Sequence, residues 1–207
     1  YEISGRSNGY VNMKSVLRDL EINANVLLDS LDVNGIAIPD MLLTSAWDFG
    51  RSRAKLSVST DDGANEIIRG YFSPSHVRYY ATMQMDGLSM GLLDPVLKGI
   101  ISDTKGTANV DITLSGQRRA AELRGKVDVS DLQTTIDYTK CTYMAPSATV
   151  QIENNRLTAR GVQVFDQYKN RGTIDINVNM NHLSNIEYDI DIGFRDMEVL
   201  ATTKRDN

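Results

Sequence analysis

The chain has 207 residues, and 22 Lys+Arg against 27 Asp+Glu leave a formal net charge of −5, which excludes a strongly basic nucleic-acid binder. Apolar residues make up 41% and charged residues 24%, enough hydrocarbon for a core and too much for disorder by composition. The most apolar stretch, residues 88–101, is broken by Asp94, Pro95 and Lys98, short of the roughly 18 to 20 continuous apolar residues that cross a bilayer as a helix.

In chain order, the dominant signal is alternation of apolar and polar residues, the mark of strands with one wet and one dry face. Leu20, Ile22 and Ala24 open the series, followed by Leu31 and Val33, Ile36 and Ile38, Leu56 and Val58, then Val77, Tyr79 and Ala81. Asn34-Gly35 and Asp62-Gly63 supply reversals between them. A change of period follows. Leu93, Val96, Leu97, Ile100 and Ile101 recur at three- and four-residue spacing, predicting one short helix near 94–101 with Asp94 capping it and Pro95 in its first turn. Gly99 weakens that helix, so it must be held by docking on the sheet.

Alternation then returns in cleaner form. Val110, Ile112 and Leu114 define one strand, Val127 and Val129 a second, Val150 and Ile152 a third. Asn154-Asn155 is the next reversal. Ile174, Ile176, Val178 and Met180 interleave with Asp175, Asn177, Asn179 and Asn181, and Tyr188, Ile190, Ile192 and Phe194 with Asp189, Asp191 and Gly193. Turns at intervals of about a dozen residues predict antiparallel neighbours, not βαβ crossovers. The layout after Gly9 resembles that after Gly106, an offset of roughly 100 residues. Two tandem β units are therefore expected, 1–87 and 88–207, continuous through the helical segment.

Residues for catalysis or metal binding are sparse. The only imidazoles, His76 and His182, lack a nucleophile motif around them, and one cysteine with two distant histidines cannot supply a zinc set. The lone Cys141 has no partner for an intramolecular disulfide, and a half-buried filler there is the commoner case against a thiol activated by Lys140. Asp61, Asp62 and Glu66 offer oxygens in a turn without the order of an EF-hand loop. No glycine-rich phosphate cradle is found. Arg51, Arg53 and Lys55 alternate along one strand, and Arg118-Arg119 form a basic pair, but solvated edges account for both. Tyr79-Tyr80 is the one aromatic pair that could meet a sugar. No enzymatic activity, cofactor, metal or nucleic-acid partner is expected.

The apolar faces admit two outcomes. The dry faces of two sheets can close on each other as a sandwich, the commoner result of alternation. Alternatively one sheet keeps an apolar trough that a hydrocarbon guest completes. Periodicity does not choose between them.

From residue 88 onward the motifs, in order, are G-L-L-D-P-V-L-K-G-I-I-S-D, T-K-G-T-A-N-V-D-I-T-L-S-G, E-L-R-G-K-V-D-V, T-I-D-Y, A-T-V-Q-I, R-L-T-A-R-G-V-Q-V-F-D and R-G-T-I-D-I-N-V-N-M. This sequence of motifs resembles the TamB family of AsmA-like envelope proteins of Gram-negative bacteria, with Gly106, Gly116, Gly125, Gly161 and Gly172 expected at strand borders. The resemblance covers residues 88–207 most fully. It implies an elongated, curved antiparallel sheet forming a hydrophobic trough, the β-taco, lined here by the fifteen alternating residues from Val110 to Phe194 named above. It also implies a periplasmic segment of a parent anchored in the inner membrane. The implied role is conducting phospholipids between inner and outer membranes, with acyl chains as partners and an Omp85-type outer-membrane protein engaged through the parent. An alternative is a scaffold for outer-membrane β-barrel assembly by strand-edge pairing. A first residue Tyr1 instead of Met fits a piece of a longer chain, whose membrane contacts would lie in segments outside it.

Overall fold

The computed structural model describes residues 3–14, 21–33, 35–60, 63–181 and 185–201. Among them thirteen strands succeed one another: β1 (Ile3–Lys14), β2 (Glu21–Val33), β3 (Ile36–Ala37), β4 (Met41–Asp48), β5 (Arg53–Thr60), β6 (Asn65–Ser73), β7 (Arg78–Ser89), β8 (Ile101–Gln117), β9 (Ala120–Ile136), β10 (Cys141–Glu153), β11 (Arg156–Asp166), β12 (Arg171–Asn181) and β13 (Asn185–Phe194). They belong to one sheet whose order follows the chain from β1 to β13, with the two-residue β3 set beside β2. The pairs from β1 to β7 and from β9 to β13 are antiparallel. The chain is thus all-β, as its alternation predicts. No second sheet is present among the described residues to close over the dry face, so the two-sheet sandwich does not form.

The helix is shorter than its spacing predicts. Only α1, Leu93–Val96, is helical, after a 3-10 turn at Met90–Leu92, and Ile101 already opens β8. Asp94 does not cap the helix. Its carboxylate accepts the Thr104 amide at 3.3 and 3.1 Å, and Leu92 at the N-cap provides no side-chain bond. Without a cap, and with Gly99 at φ +84°, a second turn has nothing to hold it. Val77, expected in a strand, sits in the turn before β7 at φ +47°.

The chain divides into two compact units, one of Tyr1–Met85 with Asp111–Arg124, the other of Asp86–Val110 with Gly125–Asn207. In the first, directly paired residues build apolar rows across the sheet: Val26, Leu43, Val58, Ile68 and Met83 in one, Trp47, Ala54, Phe72 and Tyr79 in another. The deeply buried apolar residues are mostly small, including Ala24, Ala54, Ala108, Ala121, Ala145 and Ala159. Larger ones are mainly half-covered. The chain exposes 13831 Å², against about 9,600 Å² for a compact monomer of its 23.0 kDa mass.

The reversal at Asn154-Asn155 is realised as the sequence predicts. Both residues have positive φ, +50° and +66°, and close a tight turn between β10 and β11 where Glu153 pairs with Arg156. Asn34, Asp61 and Asp62 lie outside the described residues.

Of the five glycines expected at strand borders, three sit elsewhere. Gly106, Gly125 and Gly161 fall inside β8, β9 and β11, whereas Gly116 and Gly172 lie near strand ends. Gly161 has φ +62° at the register shift between Ala159 and Val162, and its amide donates to Asp175 Oδ1 at 2.6 Å. The extra residue is absorbed there as a bulge, so Ala159 and Val162 stay on one face. Gly161→Val should therefore lower stability by about 1–2 kcal/mol, and Gly161→Asn by less, because only the β-branched residue strongly resists the left-handed region. Urea unfolding monitored by circular dichroism checks this; equal midpoints for wild type and Gly161→Val would refute the bulge's role.

Candidate functional site

In the second unit, one face of β9–β13 is a lattice of apolar rows. Gly125, Ile152, Leu157, Val178 and Tyr188 form one row through five strands. Beside it run Ala159, Ile176 and Ile190, then Val162, Ile174 and Ile192, then Val164, Gly172 and Phe194. Val127 pairs with Val150, and Val129 with Ala148. Directly opposed residues share a face. The predicted lining residues Val127, Val129, Val150, Ile152, Ile174, Ile176, Val178, Tyr188, Ile190, Ile192 and Phe194 therefore do so, with the half-buried Met180 one step further along β12.

Coverage falls toward the last strand. Val129, Ile152 and Val164 are buried, while Tyr188, Ile190, Ile192 and Phe194 on β13 are 74%, 48%, 56% and 56% exposed. The opposite face is polar and internally bonded: Arg156 donates to Asn177 Oδ1 at 2.6 Å, and Thr149 to Asp128 Oδ1 at 2.7 Å.

The remaining predicted lining residues are on β8. Val110 is half-buried and belongs to the second unit. Ile112 and Leu114 belong to the first, on the side of the strand shared with Gly116, which lies against Tyr79: a methyl there would come 2.6 Å from the Tyr79 ring. They thus share a face with the row of Phe72, Ala54 and Trp47.

Sequence periodicity missed part of the second unit's face. Leu157, Val162 and Val164 were not among the predicted lining residues, because the bulge at Gly161 breaks their period of two. It also missed the segment that follows β13. Residues 195–201 fold over one end of the apolar face, where Met197 joins Ala145 and Val164 in a buried cluster flanked by Leu132, Tyr143, Val162 and Ile174. Gly172 leaves room for it, since a methyl at that position would lie 2.5 Å from Met197 Sδ. Beside Met197 an apolar cavity of about 370 Å³ remains, lined also by Ile136, Tyr143, Ile174 and Phe194.

Asp166 anchors this segment. It is 0% exposed, its Oδ1 accepts the amides of Tyr168 and Asn170 at 2.9 Å each, and its Oδ2 accepts Asn170 Nδ2 at 3.0 Å and the Glu198 amide at 2.8 Å. Burial acts against the charged carboxylate more than any single partner supports it. The bonds from Glu198, Asn170 and Tyr168 together outweigh it and hold the carboxyl below its usual range. Tyr143 donates its hydroxyl to the Glu198 carbonyl at 2.8 Å. Burial, with Cys141, Asp166 and Glu198 adding negative surroundings, pushes its phenol up to about 12.

The other candidates separate in the structure. Arg51 lies in a turn, while Arg53 and Lys55 share a strand face and both pair with Asp48 Oδ2 at 3.5 Å. Tyr79 and Tyr80 point to opposite faces, and Tyr80 instead stacks with Tyr71 at 5.8 Å, with the Arg53 guanidinium 4.3 Å from the Tyr71 ring centre. Exposed His76 bonds Ser75 Oγ at 2.9 Å, and His182 lies outside the described residues. Cys141 is buried, its thiol directed at the Thr139 carbonyl 3.6 Å away. Among the described residues no three His, Cys, Asp or Glu side chains gather as a metal site, and no helix is long and apolar enough to cross a membrane. No family model, curated protein or solved structure matches the chain.

The closure at Glu198 should depend on pH at both extremes. Asp166 titrates lower folded than unfolded, so its contribution is present above the unfolded value of about 3.9 and lost as pH falls through the folded one. Tyr143 titrates higher folded, so its contribution is present below about 10 and lost as pH rises through about 12. Asp29, bonded by Ser30 and Arg6, and Asp128, bonded by Lys126 and Thr149, are held low as well, so global acid unfolding does not isolate Asp166. Hydrogen exchange at the Glu198 amide does. Its protection should fall below about pH 4 in the wild type and be weak at every pH in Asp166→Asn; protection that is identical in the two proteins would remove the anchor.

Proposed function

We propose that this chain is a section of a TamB-like envelope conduit, in which acyl chains of phospholipids lie on the apolar sheet face while headgroups stay in water. The observation that carries this reading is the second unit's apolar lattice, which no second sheet covers among the described residues and which is most exposed along β13. Each acyl methylene moved from water onto such a surface gains about 0.8 kcal/mol. Because the lining is continuous, successive positions differ little in free energy, and a chain can advance without a chemical step.

The dimensions suit this guest. Strands lie about 4.8 Å apart, so the five-strand row from Gly125 to Tyr188 spans about 19 Å, against about 15 Å for the hydrocarbon of one leaflet. Apart from Tyr188 and Phe194 the rows are aliphatic, which suits a slender flexible chain better than a planar ring. Met197, an unbranched thioether, already lies on this face and occupies it as hydrocarbon would. The periplasm, an inner-membrane anchor and an Omp85-type partner belong to this reading through the family resemblance.

Ile190→Asp and Ile192→Asp should each reduce phospholipid recovered with the purified protein several-fold, since a buried carboxylate next to acyl chains is strongly unfavourable. Ile190→Leu should leave it unchanged. Both positions are exposed, so the variants should fold. Mass spectrometry of extracted lipid, with circular dichroism to confirm folding, decides it: equal lipid in folded Ile190→Asp, or none in the wild type, would sink the proposal.

A further inference from the structure

We infer that residues 195–201 are an intramolecular occupant of the lipid face, a plug that an incoming acyl chain displaces; this rests on the proposed function of that face. The segment follows β13 but does not add to the strand ladder. It is held by a few clips: Tyr143 to the Glu198 carbonyl at 2.8 Å, the Glu198 amide to Asp166 at 2.8 Å, Gln167 to the Glu198 carboxylate at 2.6 Å, and the Ala201 amide to the Thr139 carbonyl at 2.8 Å. Its apolar seat is a single side chain. Met197 is 9% exposed, whereas Val199 and Leu200 are 48% and 61% exposed.

The space beside that seat is what a second hydrocarbon would use. Well-packed interiors leave few voids larger than a water molecule. An engineered apolar cavity of about 150 Å³ stays dry and binds benzene. The cavity here, about 370 Å³ with an apolar lining, is larger, and Met197 and Val199 form part of its wall. An acyl chain entering it regains the contacts that Met197 gives up. The clips at Glu198 are polar and can be returned to water, while Asp166 keeps its bonds to Tyr168 and Asn170. Opening the plug therefore does not strip the buried carboxylate of all its partners. Apparent affinity is then set by the fraction of molecules with the plug out, so loosening the plug tightens binding.

The probe is cis-parinaric acid, a slender fluorescent acyl chain, titrated into the full chain. Its binding should reduce hydrogen-exchange protection at the Glu198 and Ala201 amides and leave β12 unaltered. Met197→Ala/Glu198→Pro, which removes the seat and two clips, the amide to Asp166 and the carboxylate to Gln167, should bind about five- to tenfold tighter. Tyr143→Phe, which removes one clip and keeps the side-chain volume, should bind about twofold tighter and covers the case in which the double variant misfolds. Probe binding with unchanged protection at Glu198 and Ala201, or with the same affinity in folded variants, would overturn the plug and leave the lipid face standing. No binding by wild type or variants would overturn both.

Discussion

An amphipathic sheet must cover its dry side, and this chain provides no second sheet to do so among its described residues. The consequence shows in what is buried. Half of the deeply buried apolar residues are alanines, and the large aliphatic residues of the last strands stay half in water. Exposed hydrocarbon at one residue is ordinary; Tyr188, Ile190, Ile192 and Phe194 exposed in alternation along one strand are not. Without a second sheet among the described residues, the strand ladder and cross-strand pairs carry much of the stability.

How much of this was legible in the sequence depends on whether the signal is local. The clean alternation of Ile174 to Met180 and of Tyr188 to Phe194 translates directly into the registers of β12 and β13. Asn154-Asn155 turns where its tolerance of positive φ predicts. The helix spacing was misleading because Ile101 belongs to the period of β8, and because Asp94 is engaged by Thr104, ten residues away. Leu157, Val162 and Val164 escaped notice because Gly161 inserts one residue into their alternation, and Asp175, which receives its amide, lies on another strand. Met197 and Asp166 carry no periodic signal. Their partners are distant in the chain, so only the folded arrangement reveals them. The choice between sandwich and uncovered face was likewise beyond alternation, which specifies two faces and leaves open what meets each.

Asp166 shows how polar chemistry supports an apolar site without entering it. A carboxylate removed from water must be matched by donors, and two of its four partners come from amides of the turn joining β11 to β12. That turn thereby holds its own shape. The fourth donor, the Glu198 amide, is recruited from beyond β13. One buried group thus connects the geometry of a hairpin with the position of a segment 32 residues downstream.

Among the described residues β13 is the last in the strand order, and it bears Glu187, Asp189 and Asp191 on the polar side of its alternation. If a twin molecule aligned head to tail on this border with Asp189 at the centre, Asp189 would meet its own counterpart, and Glu187 would meet Asp191. Three stacked repulsions disfavour that self-association.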